Sequence, residues 1–219
     1  MKGLPIRGTD QLWNTHRVYC VGRNYAEHAR EMGADPAREP PFFFAKPADA
    51  VVPGDVPYPT MTVDFQHEVE LVLALGRGGR DLSLAAADHC IEAYAVGIDW
   101  TRRDLQAEAK RLGRPWEIAK AFDHSASIGP LQRRTETGTL QSGRIWLSVN
   151  ESPRQQGHLE DMIWQAPEII AELSRYFRLA AGDLIYTGTP AGVGAVRIGD
   201  TVTAGIDGLE SLSLRILPA

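Results

Sequence analysis

The sequence has few cysteines and no long apolar run, and each absence excludes a class of protein. Its 219 residues include two cysteines, Cys20 and Cys90, whose spacing fits neither a redox motif nor a metal motif. A secreted domain held together by disulfides is therefore excluded, and a reducing cytosol is indicated. No apolar stretch approaches the roughly 18 residues that cross a bilayer, and residues 1–13 contain no signal-peptide core. We expect a soluble protein of the cytoplasm, without a membrane partner.

The chain also lacks an excess of positive charge. It has 23 Lys and Arg against 28 Asp and Glu, and the resulting net charge of −5 argues against nucleic acid as a partner. Hydrophobic residues make up 43% and charged residues 23%, which are ordinary values for a globular protein. No repeat or low-complexity linker divides the sequence. The length allows one large domain or two small ones, and a single domain of residues 1–219 is expected.

Strand patterns outnumber helix patterns along the chain, and the two do not alternate regularly. This order excludes a doubly wound parallel sheet and predicts a β-rich α+β fold. Strands are predicted at 17–22, 64–75, 93–101, 144–150, 183–190, 200–206 and 211–217, and helices at 24–33, 82–94, 102–113 and 166–177. The proline-rich segment 34–59 is predicted to be an extended or mobile loop, because proline does not continue a helix or a central strand. Asn24 is expected to cap the first helix, and Gly33 to end it.

The strand predicted at 64–75 carries two carboxylates on one face. Side chains alternate along a strand, so Glu68 and Glu70 point the same way while the opposite face is apolar. Two like charges in a low-dielectric setting repel each other and are costly to desolvate. Either a metal ion lies against them, or the pair lies at a sheet edge and is neutralised by Arg or Lys. Asp99, at the end of a second apolar strand, would complete an oxygen donor set that suits a hard divalent ion.

Two further segments contain candidate catalytic or binding side chains. His28 and Glu31 lie three residues apart on the first predicted helix, where a carboxylate can orient an imidazole as a general base. The same pattern also fits an ordinary charged surface helix. Lys120 lies in a weakly apolar stretch, and a buried lysine needs an anionic partner, either structural or a ligand. The glycine-rich segment 184–196 matches no nucleotide-binding pattern, and its Thr189 either faces a carboxylate or lies in a tight turn.

Six segments of the chain, taken in order, resemble the fumarylacetoacetate hydrolase family. They are VYCVGRNYAEHAREMG, PFFFAKPADAVV, HEVELVLALG, AVGIDWTRRDLQ, AKAFDHSASIGP and LIYTGTPAGVG. The resemblance is strongest to the small bacterial members that act on acylpyruvates, and above all to those that hydrolyse fumarylpyruvate. It implies a mixed β-sandwich roll of the kind that forms the family's C-terminal domain. It also implies one Mg²⁺ or Mn²⁺ per chain and, usually, a homodimer.

The resemblance assigns roles to particular side chains. The metal ligands would be Glu68, Glu70 and Asp99. The catalytic groups would be His28, Glu31 and Lys120. The contacts to the pyruvoyl end of the substrate would be Arg103, Gln106 and Thr189. The base dyad would lie on a lid helix within residues 24–48, and residues 1–16 would form an N-terminal extension. Larger animal members have a fourth metal carboxylate where this chain has Val21. The small members lack it too, so the substrate of the animal enzyme is not carried over.

The activity that the resemblance implies is metal-dependent hydrolysis of the carbon–carbon bond of a 2,4-diketo acid. The expected substrate is fumarylpyruvate, which would give fumarate and pyruvate in gentisate-type aromatic catabolism. Within the family, the alternative is oxaloacetate decarboxylation or a general acylpyruvase activity. The alternative of a different class is a non-catalytic binding protein that a metal stabilises.

Overall fold

The structure, a computed structural model, describes residues 3–31 and 39–219. Within these residues the helices are α1 Ala26–Glu31, α2 Leu84–Asp88, α3 Arg103–Leu112, α4 Glu117–Lys120, α5 Arg134–Thr137 and α6 Ala166–Tyr176, with 3₁₀ turns at Ala48–Ala50 and Leu159–Asp161. The strands are β1 Leu4–Pro5, β2 Leu12–Trp13, β3 Val18–Gly22, β4 Phe42–Lys46, β5 Val51–Val52, β6 Val56–Pro57, β7 Phe65–His67, β8 Val69–Leu75, β9 Ile91–Asp99, β10 Thr101–Arg102, β11 Ala126–Ile128, β12 Gln132–Arg133, β13 Arg144–Val149, β14 Ser152–His158, β15 Leu184–Tyr186, β16 Gly194–Ala195, β17 Thr201–Ile206 and β18 Leu212–Leu217. No helix among the described residues is long and apolar enough to span a bilayer.

Most of the strands belong to two sheets that share one hydrophobic core. The larger sheet has the order β4-β3-β15-β8-β9-β11-β5, with β12 also paired to β9. It is mixed, because β3–β15 and β5–β11 are parallel pairs and its other pairs are antiparallel. The second sheet is β14-β13-β17-β18-β6, and a small sheet of order β10-β7-β16 lies beside the carboxylates. The predicted β-rich α+β fold is confirmed.

Strand β8 is buried on both faces, and its alternating pattern decides which side chain faces which core. The face toward the second sheet carries Val69, Leu71, Leu73 and Leu75. Val72 and Ala74, on the other face, belong to a second cluster. Leu4, Ile6 and Trp13 belong to the same cluster, so the short N-terminal hairpin packs against the large sheet. The carboxylates Glu68 and Glu70 lie at the end of this second face.

The prediction of a helix at 82–94 was wrong for the second half of that range. Helix α2 ends at Asp88, and Ile91 already begins the central strand β9, which pairs with β8 along its length. Burial between two strands outweighs the helical propensity of this short segment. The helices predicted at 102–113 and 166–177 are confirmed as α3 and α6, and Gly113 ends α3 with a left-handed φ of 62°.

The proline-rich segment contains more regular structure than predicted. Phe42–Lys46 forms β4, which pairs antiparallel with β3 at the edge of the large sheet. Prolines are tolerated here because they flank the strand and it lies at an edge. The part of the loop at 32–38, with the helix end predicted at Gly33, lies outside the described residues.

Candidate active site

Three buried carboxylates meet at one end of the β8–β9 pair. Glu70 lies opposite Gly97 in the β8–β9 register, and the Asp99 amide donates to the Glu68 carbonyl over 2.8 Å. One oxygen from each of Glu68, Glu70 and Asp99 lies within 4.8 Å of the others. Gly97 is required beside them, because a Cβ there would lie 2.4 Å from the Val72 side chain. The sequence-predicted oxygen cluster is therefore present in the fold.

Cations neutralise two of these three carboxylates. Lys120 Nζ lies 2.8 Å from Glu68 Oε2 and 2.7 Å from Asp99 Oδ2, and Arg103 also donates to Glu68. Lys46 Nζ lies 2.7 Å from the other oxygen of Asp99. Burial raises the pKa of Glu68, but Lys120 and Arg103 outweigh it and hold that pKa well below its ordinary value. Burial lowers the pKa of Lys120, but Asp99 and Glu68 raise it further, so its amine stays charged.

Within the part of the chain that the structure describes, Glu70 has no such partner. Among the described residues no Lys, Arg or His forms an ion pair with it, and its one hydrogen bond comes from the Gly188 amide at 2.7 Å. Burial, followed by the charges of Asp99 and Glu68, raises the pKa of Glu70 well above its ordinary value. A buried carboxylate in this state needs a cation to be stable as an anion. The three carboxylates supply hard oxygen ligands, and this donor set fits a divalent ion such as Mg²⁺ or Mn²⁺.

The loop that holds Glu70 is fastened by Asn24. Its side-chain amide donates to the carbonyls of Thr187, at 2.8 Å, and Trp164, at 2.9 Å, and its oxygen accepts from the Trp164 amide at 2.7 Å. Gly188 has a left-handed φ of 96°, and a Cβ there would lie 2.7 Å from the Asn24 Cβ. The predicted helix cap at Asn24 was therefore wrong, because its side chain is used in these contacts between segments.

Helix α1 places an imidazole over the carboxylates. His28 Nδ1 lies 3.2 Å from Glu31 Oε2, and the Gly192 amide donates to both Glu31 oxygens at 3.2–3.3 Å. His28 is only 6% exposed, although the helix also carries exposed Glu27 and Arg30. The surface-helix alternative therefore fails for His28. With Nδ1 facing the carboxylate, Nε2 is the nitrogen left for a partner in the pocket.

Arg103 and Gln106 lie at the start of α3 and Thr189 lies in the glycine-rich loop. Arg103 donates to Gln106 Oε1 at 2.6 Å and to Gln66 Oε1 at 2.8 Å. Thr189 Oγ1 accepts a hydrogen bond of 2.8 Å from Gln155. Arg103 therefore holds Gln106 in place, while the Gln106 amide nitrogen and the Thr189 hydroxyl proton have no acceptor among the described residues.

Seven of the nine predicted side chains line one pocket. They are His28, Glu68, Glu70, Arg103, Gln106, Lys120 and Thr189. The remaining two, Glu31 and Asp99, contact His28 and Lys120 directly. Sequence reasoning did not identify the other side chains of the site, which are Lys46 beside Asp99 and, on the pocket wall, Arg23, Phe42, Phe44, Lys110 and Trp116. The segment FFFAK forms a strand, and the period of two along a strand puts Phe42, Phe44 and Lys46 on one face. That pattern would have indicated these three side chains.

Comparison with known proteins identifies the family. The family model described as fumarylacetoacetate (FAA) hydrolase C-terminal matches residues 17–217. The chain belongs to the fumarylacetoacetate hydrolase family. This confirms the resemblance drawn from the six sequence segments, and it makes the protein an enzyme of that family.

Relatives with different activities are similar to this chain. The crystal structure of fumarylpyruvate hydrolase from Pseudomonas aeruginosa, in complex with Mn²⁺ and pyruvate, is 51% identical, with a TM-score of 0.97 over 99% of this chain and 96% of that one. The mitochondrial oxaloacetate tautomerase FAHD1 of Rattus norvegicus is 41% identical, over 91% of this chain and 90% of the relative. The mitochondrial oxaloacetate decarboxylase of Dictyostelium discoideum is 37% identical, over 92% and 94%.

Proposed function

We propose that this enzyme hydrolyses the carbon–carbon bond of an acylpyruvate, with fumarylpyruvate as the substrate and fumarate and pyruvate as products. The observation that carries the proposal is the pocket itself, in which Glu70, without an ion-pair partner among the described residues, and His28 of the His28–Glu31 dyad face the same space. The similarity to a hydrolase structure that holds Mn²⁺ and pyruvate supports both the metal and the pyruvoyl half of the substrate.

Glu68, Glu70 and Asp99 would hold one Mg²⁺ or Mn²⁺ per chain. When bound, this ion would act as a Lewis acid toward the oxygens of the 2-oxo acid end. Arg103 donates to Glu68, Lys120 donates to one oxygen of Asp99, and Lys46 forms an ion pair with the other. The carboxylates are thus oriented before any ion arrives, and this reduces the reorganisation that binding requires.

The His28–Glu31 dyad would supply the base. Nε2 of His28 takes a proton from a water molecule, whose oxygen attacks the C4 carbonyl of the substrate, and Glu31 stabilises the resulting imidazolium. The C3–C4 bond then breaks, and its electron pair leaves with the pyruvate half as an enolate. That enolate accepts a proton at C3 to give pyruvate. The charged Lys120 amine lies beside the site where this negative charge develops.

Gln106 and Thr189 would donate hydrogen bonds to the pyruvoyl end. Each retains a donor that no acceptor among the described residues uses, and both line the same pocket as the carboxylates. Arg103 lines that pocket beside them and holds Gln106 in place. These contacts would orient a 2-oxo carboxylate with its acyl chain directed toward His28.

The wider setting of the enzyme is also part of this proposal. We propose that residues 1–219 act as one catalytic domain, in which 1–16 is an N-terminal extension and 24–48 contains the lid. The enzyme would work as a cytoplasmic homodimer, in line with the family resemblance and the low cysteine content.

A second activity, on oxaloacetate, has specific support. Relatives 37–41% identical to this chain are named oxaloacetate tautomerase or decarboxylase. Decarboxylation uses the same 2-oxo acid end but needs no attacking water, and therefore no general base. Hydrolysis of an acylpyruvate and decarboxylation of oxaloacetate thus differ in their dependence on His28.

The test is turnover by purified protein supplied with Mn²⁺ or Mg²⁺, with an EDTA-treated sample as control. Metal-dependent loss of the fumarylpyruvate enol absorbance, with slower turnover of oxaloacetate, is the expected result. Faster turnover of oxaloacetate would keep the site and move the function to the second activity. No difference between the metal-supplied and EDTA-treated samples would refute the metal-dependent mechanism.

A further inference from the structure

The outer part of the pocket is a continuous aromatic wall. Lys120 Nζ lies 5.2 Å from the centre of the Phe44 ring, and the Phe44 and Trp116 rings are 5.9 Å apart. Phe42 meets Trp116 edge-to-face with their centres 5.5 Å apart. The wall therefore leads away from the carboxylates, from Phe44 across Trp116 to Phe42.

Strand β4 sets the length of this wall. Phe42, Phe44 and Lys46 alternate along the strand and share the face toward the site. Lys46 contacts Asp99, and Phe42 lies four residues away, which is about 13 Å along an extended strand. The end of the pocket at Phe42 is thus well separated from the carboxylate cluster.

Two cations flank this outer end, and neither has a carboxylate partner among the described residues. The guanidinium carbon of Arg23 lies 5.5 Å from the Phe42 ring centre, and Lys110 Nζ lies 5.2 Å from the Trp116 ring centre. Arg103 and Lys120, in contrast, are both paired with Glu68. Burial, followed by the nearby charges of Arg103 and Arg23, lowers the pKa of Lys110. With two cations and no carboxylate partner for either among the described residues, the outer end of the pocket has an excess of positive charge that an anion there would offset.

The backbone around Arg23 is shaped to hold it in this position. Arg23 has a left-handed φ of 58°, an uncommon and strained conformation for a residue other than glycine. A Cβ on the preceding Gly22 would lie 1.9 Å from the Phe42 ring, so only glycine lets this ring lie against β3. Both features place a guanidinium at the rim of the pocket, next to the aromatic wall.

We propose that Arg23 and Lys110 bind a second carboxylate, at the far end of the acyl chain, and thereby make the enzyme selective for dicarboxylic 2,4-dioxo acids. This inference rests on the proposed function, since it assumes that the pyruvoyl end lies at Glu68, Glu70 and Asp99. The aromatic wall between the two ends suits a flat, unsaturated chain. In oxaloacetate the two carboxylates flank a short chain, so its second carboxylate stays near the metal ligands and does not reach Arg23.

The experiment compares kcat/KM on fumarylpyruvate and on acetylpyruvate, whose acyl chain ends in a methyl group. Arg23→Gln and Lys110→Met should each lower kcat/KM on fumarylpyruvate by about 10- to 100-fold, mainly through KM, because each removes a charged hydrogen-bond donor. Values on acetylpyruvate should change by less than about threefold. Lys110→Arg keeps the charge and should retain most of the activity on fumarylpyruvate. Arg111→Gln is the matched control, because Arg111 is exposed on the same helix and does not line the pocket.

The outcomes separate this inference from the proposed function. Equal losses on both substrates would overturn the inference and indicate that the two cations support the fold. Unchanged kinetics in both variants would overturn it as well, while leaving acylpyruvate hydrolysis intact. If the wild-type enzyme with Mn²⁺ hydrolysed neither acylpyruvate, the proposed function would fall, and the inference with it.

Discussion

Replacing Asn24 with alanine should destabilise the protein strongly, although the side chain contacts neither substrate nor the carboxylates. Asn24 is 1% exposed, and its amide joins three segments through hydrogen bonds to Trp164 and Thr187. A hydrogen bond of this kind contributes a net ~0.5–1.5 kcal/mol, so three give roughly 1.5–4.5 kcal/mol. The partner groups left without the amide add a desolvation cost that entering water would partly offset. We expect Asn24→Ala to lower the free energy of unfolding by about 3 kcal/mol.

Urea unfolding, followed by tryptophan fluorescence, measures this loss. Both proteins are compared at the same concentration and in EDTA, because bound metal or subunit association would shift the apparent stability. Asn14→Ala serves as the control, since Asn14 is exposed and should change the free energy of unfolding by less than ~0.5 kcal/mol. A loss in Asn24→Ala no greater than in the control would refute the view that this side chain fastens the Glu70 loop.

Three further substitutions test other parts of the site. His28→Ala should lower turnover of fumarylpyruvate by about 10²–10⁴-fold while Mn²⁺ is still bound. Exposed His89→Ala is its control, and full turnover in His28→Ala would remove the imidazole from the mechanism. Lys46→Met breaks a buried ion pair with Asp99 and should lower the free energy of unfolding by about 3–5 kcal/mol. An unchanged midpoint of urea unfolding would contradict this and would show that Lys120 alone compensates the charge of Asp99. Gly22→Ala should displace the Phe42 ring and raise KM for fumarylpyruvate more than it lowers kcat; equal effects on both would contradict the role given to the aromatic wall.

The carboxylate cluster could be predicted from sequence because its pattern is local. A strand has a period of two, so Glu68 and Glu70 must share a face, and the apolar residues of β8 fix which face is buried. Asp99 joins them because an apolar strand ends there. The register that places Glu70 opposite Gly97 depends on pairing between strands, and no local pattern specifies it.

The cations around the cluster could not be predicted in the same way. Lys46 reaches Asp99 only because the segment between prolines forms an edge strand, and the prolines hid that strand from sequence reasoning. Arg23 and Lys110 come from elements far apart in sequence that meet across the aromatic wall. At Ile91 the error is the reverse, because regular structure of the wrong kind was predicted. Its segment has helical spacing, but it forms part of the central strand β9, where the Ile91 side chain is buried.

The most direct test of the account is the Mn²⁺ content of wild-type protein and Glu70→Gln after dialysis, measured by elemental analysis. Glu70 is the carboxylate of the three that forms no ion pair with any described residue, so its charge is the one that a metal ion should satisfy. We predict about one ion per wild-type chain and almost none in Glu70→Gln, while Glu108→Gln, exposed on α3, binds like the wild type. Full occupancy in Glu70→Gln, or no Mn²⁺ in the wild type, would contradict the proposed metal centre.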